Sequence, residues 1–239
     1  MQGTPTLSLA VFMPFRAVVL EGVAGSGKSS LLRALLAHPR FVKRAGSSSL
    51  VLTEHHTQRV LEALGPRSSL RVEDHLELLG GHVDYLTRVA SRLDRMTRWK
   101  QGRLENQRFV AIVERFHLTH VLNYAHLEWR DVSDLDRQLT RIGAVLGVVT
   151  ASPKELRARL SSRGPDWGTF LSEPGQRRHL PEAASPTERA DYFIAQQAAL
   201  RELAACSSMT RVEIDTSALV PEAAAERVLA LLIGEKVGD

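Results

Sequence analysis

The stretch "AVVLEGVAGSGKSSLLRALL", residues 17–36, decides how this chain is read. An apolar, β-branched run ends at Glu21, a glycine-rich turn follows, and a helical apolar spacing opens at Lys28. The turn fits G-x-x-x-x-G-K-[ST] in full, with Gly22, Gly27, Lys28 and Ser29 at the fixed positions. A chance match in a chain of this length is on the order of 1% at average residue usage, and the strand-before, helix-after setting lowers it further. Each part has a physical job. Glycines let the backbone curl so that successive N–H groups point at phosphate oxygens. The helix start adds a partial positive charge. Lys28 reaches the β- and γ-phosphates, and the Ser29 hydroxyl can ligate Mg2+. Residues Gly22, Val23, Ala24, Gly25, Ser26, Gly27, Lys28, Ser29 and Ser30 are therefore read as a phosphate cradle.

Working outward, short apolar runs alternate with helical patterns. The runs are Arg16–Glu21, Ser49–Glu54, Phe109–Glu114, Ala144–Thr150 and Arg211–Thr216. They are nearly continuous in hydrophobicity, as strands covered on both faces are. Between them lie helical patterns: one after the cradle, a long one over 72–99, one opened by Ser152 as N-cap with Pro153 in the first turn and Glu155 closing a capping box, one from Thr187 to Cys206, and a last over 221–233. Alternation of this kind predicts an α/β fold, a doubly wound five-stranded parallel sheet in a single domain over 1–239. Residues 1–14 read as an N-terminal extension and 163–187, rich in Gly, Pro and Arg, as a flexible, arginine-bearing lid.

Composition bounds the rest. The 239 residues are 44% hydrophobic, which excludes a disordered chain. The net charge of +4 is modest and acidic residues interleave with basic ones, so no nucleic-acid partner is expected. No run approaches the roughly 18 apolar residues of a membrane helix, and the apolar start is interrupted by Pro14 and Arg16. A single cysteine, Cys206, read as a small buried residue, excludes an internal disulfide framework and favours a cytoplasmic setting.

Further candidates sit at strand ends, where ligands gather in such sheets. Glu114 can hold Mg2+ and Arg115 can clamp a phosphate, or the two form a solvated pair. Glu54 can accept a hydroxyl proton, or is a plain loop carboxylate. Arg159 and Arg163 can swing onto phosphate, or form a solvated basic face with Arg157. Arg177 and Arg178 read as solvent-facing. His117 and His120 share a helix face, but nothing completes a metal set, so they read as solvated or substrate-facing. His55, His56, His82 and Tyr85 are candidates for lining an acceptor pocket, and Arg88, Arg92, Arg95 and Arg98 form a charged helix face.

The segment "VVLEGVAGSGKSS" resembles the first strand and loop of thymidylate kinases and deoxynucleoside kinases. "VLTE" at 51–54 resembles the second-strand end of deoxynucleoside kinases, "VERF" at 113–116 the segment closing their third strand, and "ELRARLSSRG" the arginine-bearing lid. "RVEIDTSALVPEAAAERVLALL" is similar to the last strand and helix of thymidylate kinases. The resemblance implies a P-loop kinase that uses ATP and Mg2+, with Lys28, Glu54, Arg115, Arg159 and Arg163 catalytic and with Ser29 and Glu114 on the metal. It implies a nucleoside or nucleoside monophosphate as acceptor. The chain departs from both families: Ala24 stands for a loop Asp, His55 for the Pro after the glutamate, and "TEHHTQ" for an Arg-Glu-Pro-Gly-Gly segment. A non-nucleotide acceptor, such as an antibiotic or metabolite, and a non-catalytic NTP-binding or ATPase module stay open, as does a homodimer. The guanine-reading Asn-Lys-x-Asp of GTPases is absent.

Overall fold

A computed structural model of the chain describes residues 14–45, 48–99, 108–164 and 167–233. Strand β1 (Phe15–Glu21) runs through the middle of a sheet whose order is β2 (Ser49–Leu52), β3 (Phe109–Glu114), β1, β4 (Val145–Thr150), β5 (Thr210–Asp215). Every pair is parallel. In register, Leu20 of β1 stands between Glu114 of β3 and Gly147 of β4.

Period-two alternation divides the strand residues between two cores. Val18, Leu20, Val110, Ile112, Val149 and Ile214 pack beneath α1 (Lys28–Ala37), α2 (Pro39–Ala45) and α9 (Pro221–Ile233). Ala17, Val19, Ala111, Val113, Leu146 and Val148 face the other way. There α4 (Val72–Trp99), α5 (His117–Asn123), α6 (Trp129–Arg141), α7 (Pro153–Ser161) and α8 (Pro186–Cys206) cover them. Burial on both faces is why the central strands read as unbroken apolar runs. From β1 the chain passes to β2 and β3 on one side, then crosses β1 to reach β4 and β5 on the other, which opens a crevice outside the strand C-termini.

The expected strands are all present, with one change that bears on function. The second strand stops at Leu52, and Glu54 opens a one-turn helix, α3 (Glu54–Thr57), with Thr53 in extended conformation before it. A carboxylate is favoured in a helix first turn. Two short 3-10 turns, Arg59–Ala63 and Arg67–Ser69, carry the chain on to α4. Ser152 caps α7 as expected, accepting from the Glu155 amide at 3.2 Å. The Glu155 carboxylate does not return the bond; it lies toward Arg159 on the next turn. The reciprocal box occurs instead at α8, between Ser185 and Glu188.

The segment expected to be a lid is fastened over much of its length. Leu171, Gln176 and Ala184 are buried, and Gln176 pairs with Tyr124 in an antiparallel bridge. Arg177 and Arg178 are exposed as expected, and the Arg177 guanidinium also donates to the carbonyls of Val121, at 2.8 Å, and Leu127, capping the end of α5. Cys206, read as buried, is exposed at the end of α8. Of the extension over 1–14, all but Pro14 lies outside the described residues, as do residues 165 and 166 of the lid segment. No helix among the described residues is long and apolar enough to cross a membrane.

Candidate active site

The turn between β1 and α1 is shaped by its glycines. A Cβ on Gly22 would stand 2.6 Å from the Val149 carbonyl and 2.7 Å from Ser26 Oγ. Gly25 and Gly27 sit at φ 80 and φ 92, in left-handed space. Gly27 precedes α1 with no side-chain cap, so the first amides of the helix have no partner within it. The Ser26 hydroxyl is buried without a partner. Lys28 is buried as well and donates to the Gly22 carbonyl and, at 2.9 Å, to the Val23 carbonyl. Burial pulls its ammonium well below the ordinary lysine range, with Arg115 adding and Glu114, Glu54 and Glu21 opposing. Unpaired amides, a desolvated cation and no room for a side chain make a site that an anion would relieve.

Two carboxylates and an arginine stand beside this loop. Glu114 ends β3, buried, and burial raises its pKa although Lys28 and Arg115 pull the other way. Arg115 turns away at φ 48, a left-handed conformation uncommon outside glycine, and its amide donates to Leu20 O at 3.0 Å. The Arg115 guanidinium reaches Glu54, Nε to Oε2 at 2.9 Å, while Arg59 holds the other oxygen at 3.3 Å. Burial would raise the Glu54 pKa, but the two guanidinium groups outweigh it and keep the carboxyl below its usual range.

These groups open onto a cavity of about 820 Å³ at the C-terminal end of the sheet. Ala24, Ser29, Glu54, Arg115 and Arg163 face it from the phosphate-loop side. The Arg163 guanidinium lies 4.1 Å from the Trp167 ring centre. Farther along, the amides of Gln58, Asn123, Gln176 and Gln196 alternate with the rings of Trp167, Phe170, Tyr192 and Phe193. Gln196 donates to Asn123 Oδ1 at 2.8 Å, and Gln176 to Phe170 O at 3.0 Å. Gln58 and Tyr124 interact side chain to side chain, yet neither Gln58 Oε1 nor the Tyr124 hydroxyl makes a hydrogen bond of standard geometry.

No protein-family model matches the chain, and no curated protein sequence does. In shape the chain is similar to the YorR protein of Bacillus subtilis, solved in complex with phosphorylated GDP, at a TM-score of 0.56 and 14% identity over 90% of this chain and 94% of that one. The two share a five-stranded parallel α/β fold. A sugar kinase from a Janibacter species aligns at a TM-score of 0.48 and 16% identity, over 92% of this chain and 95% of that one. A thymidylate kinase from Candida albicans aligns at 0.43 and 14%, over 90% and 89%. At such identities the likeness is one of fold.

The residues singled out in the sequence separate into three places in this fold. Residues 22–30 form the loop and helix start, with Glu114 beside Lys28 and with Glu54, Arg115 and Arg163 at the cavity. Arg159 is elsewhere: its guanidinium donates to Gly25 O at 3.2 Å, to Thr216 Oγ1 at 2.9 Å and to Thr216 O at 2.9 Å, behind the loop. Thr216 in turn donates to Ser26 O at 2.8 Å, so Arg159 ties the loop to the segment after β5. Glu21, which opens the motif, is fully buried and accepts from the amides of Phe116 and Leu118 at 3.0 Å and from the Thr119 hydroxyl. It caps α5 and fixes that helix against β1.

The histidines are placed differently from their sequence reading. His117 and His120 are both buried and part company. His117 Nε2 lies 3.1 Å from Asp136, which also accepts from Ser207 and Ser208, while His120 turns toward Thr57 and His75. Among the described residues no cluster of metal-ligating side chains is found. His55, His56, His82 and Tyr85 do not face the cavity; His82 Nε2 donates to His56 O at 3.0 Å and Tyr85 is half exposed. Arg88, Arg92 and Arg95 are exposed along α4, as a charged face requires, and the Arg98 side chain lies outside the described residues.

Proposed function

We propose that the chain is a kinase that transfers the terminal phosphoryl group of Mg·ATP to a hydroxyl of a small, nucleoside-like acceptor. The observation that carries this reading is the Glu54 carboxylate, which faces the same cavity as Ser29 of the phosphate loop and stays ionised between Arg115 and Arg59. An ionised carboxylate beside a phosphate cradle can take a proton from an acceptor hydroxyl. A phosphate acceptor would meet that negative charge, and both neighbouring guanidinium groups are already occupied by it. The aromatic rings and amides of the outer cavity suit a flat heterocycle with a hydrogen-bonding edge, and 820 Å³ lies within the range of small-molecule sites.

The loop fits a triphosphate by the observations given above: amides without partners, an orphaned Ser26 hydroxyl, and no space for a Cβ at Gly22. Ser29 and Glu114 would hold Mg2+, which when bound neutralises charge on the phosphates. Lys28 exchanges its carbonyl partners for phosphate oxygens. Glu54 orients and deprotonates the hydroxyl, Arg115 holds Glu54 in place, and Arg163 supplies charge from the Trp167 side. Arg159 braces the loop from behind. Exclusion of water falls to the aromatic wall.

The test is a panel of nucleosides, nucleoside monophosphates, sugars and other hydroxylated metabolites with Mg·ATP, read as ADP release and as new phosphate ester in the product. ADP appears only with certain hydroxyl acceptors, and the acceptor gains a monoester. ADP formed at one rate whatever is added contradicts the reading, and a preference for monophosphates overturns the choice of hydroxyl.

A further inference from the structure

The chain His126, His75, His120 joins α4 and α5 to the end of α3. His120 Nε2 lies 2.7 Å from Thr57 O. A carbonyl only accepts, so this nitrogen carries the hydrogen, and neutral His120 has a bare Nδ1. His75 Nδ1 stands 2.9 Å from it and must donate, which leaves His75 Nε2 bare. His126 Nε2, 3.1 Å away, then donates to that atom. One bond to a backbone carbonyl thus fixes three tautomers, with every hydrogen pointing inward.

The last link meets the proposed machinery. Thr57 is fully buried and ends the turn that Glu54 begins, and its hydroxyl donates to the Glu114 carbonyl at 2.7 Å. The next residue, Arg115, is held at φ 48 and reaches back to Glu54. A strained backbone persists only where its surroundings fix it. We infer that His120, backed by His75 and His126, is the positioning residue that sets where Glu54 and Glu114–Arg115 stand beside the phosphate loop. Its effect on turnover rests on the phosphotransfer reading above; its tautomer and its hold on the Arg115–Glu54 pair do not.

Burial keeps the rings neutral, bringing His75 to about 4 and His120 to about 3. The groups facing them are few. His75 meets His126, His120, Asp74 and Tyr124. His120 meets His75, Thr57, His117, His82 and Tyr124. His126 meets Asp74, Arg177, His75 and Tyr124. The one carboxylate among them, Asp74, is already taken up by Arg71.

Nitrogen-15 imidazole spectra of the substrate-free wild-type chain test the geometry. His120 appears as the Nε2–H tautomer and His75 as the Nδ1–H tautomer, both neutral at pH 5. The opposite tautomer at either ring, or a charged ring at that pH, overturns the inference. His120→Phe removes the donor and His120→Gln keeps one within reach of Thr57 O. In His120→Phe the Arg115 Nε–H resonance shifts and kcat falls about 10–100-fold, the cost of misplacing groups by an ångström. His120→Gln returns the resonance and recovers kcat to within a few-fold. Arg115 spectra and kcat alike in all three proteins, or a glutamine variant no better than phenylalanine, contradict it. Wild-type turnover without any acceptor dependence counts against the phosphotransfer reading alone, and the Arg115 resonance then decides the positioning role.

Discussion

Replacing Glu54 by Gln removes one negative charge and keeps the shape of the side chain. In the structure that carboxylate stands between Arg115, at 2.9 Å, and Arg59, at 3.3 Å, facing the cavity that Ser29 also lines. A positioned general base contributes about 10²–10⁴-fold to rate, or roughly 3–5 kcal/mol of barrier at 1.36 kcal/mol per decade. With a hydroxyl acceptor, kcat of E54Q is therefore expected to fall by that factor. The effect on stability is small, because exposed or part-exposed ion pairs contribute about 0–1 kcal/mol. Two guanidinium groups lose their counter-charge, so a nucleoside monophosphate should bind more tightly to E54Q than to the wild type. The assay is steady-state ADP release with the best acceptor of the panel, alongside calorimetry with Mg·ATP and with the monophosphate. A kcat within threefold of wild type, with unchanged monophosphate binding, refutes the reasoning and makes Glu54 a bystander.

Gly22→Ala places a Cβ 2.6 Å from the Val149 carbonyl. Overpacking of this kind costs about 1–3 kcal/mol; thermal unfolding should come about 2–12 °C earlier, and Mg·ATP binding should be lost. Asp136→Ala leaves His117, Ser207 and Ser208 without their buried acceptor. That costs about 3–5 kcal/mol and lowers Tm by about 6–20 °C, with the acceptor preference unchanged. Burial would raise the Asp136 pKa, but bonds from His117, Ser207 and Ser208 hold it well below the carboxylate range. Its contribution is therefore present above the ordinary aspartate pKa and lost only as pH falls through the lower folded value, so the Tm gap between the two proteins persists across mildly acid pH. Glu114 goes the other way: burial raises its pKa. In the metal-free chain its proton should accordingly be held to a higher pH than in a free glutamate, and Glu114→Gln should raise the Mg2+ concentration that turnover needs; an unchanged Mg2+ requirement contradicts the assignment.

The glycine turn and the sheet were legible because both follow from local patterns. "GVAGSGKS" encodes a tight strand-to-helix turn in fixed offsets, and β-branched runs covered on both faces are hard to read as anything else. The strand-end position of Glu54 was legible too, although the strand ends earlier and a helical turn begins at the glutamate itself. The outer cavity was not. Gln58, Asn123, Gln176 and Gln196 come from four separate segments and meet only through tertiary packing. Gln196, one turn after Tyr192 and Phe193 on α8, has a spacing that hints at a shared face. Arg159 and Arg163 look alike in sequence, four residues apart near a helix end, yet one braces the loop from behind and the other rests on Trp167 at the cavity. The histidines mislead for a related reason. A residue type that titrates near neutral pH suggests solvent or substrate, but burial and tautomer-locked bonds remove His75, His117 and His120 from both.

The central claim is that the unpaired amides of the loop and the buried Lys28 ammonium gather a triphosphate. Isothermal titration calorimetry with Mg·ATP, on the wild-type chain and on Lys28→Ala, measures this directly. Wild type should bind one equivalent with a clear heat, and Lys28→Ala should fold with the same circular dichroism spectrum while its affinity falls at least tenfold. No heat with the wild type, or equal affinity in the two proteins, would contradict the claim.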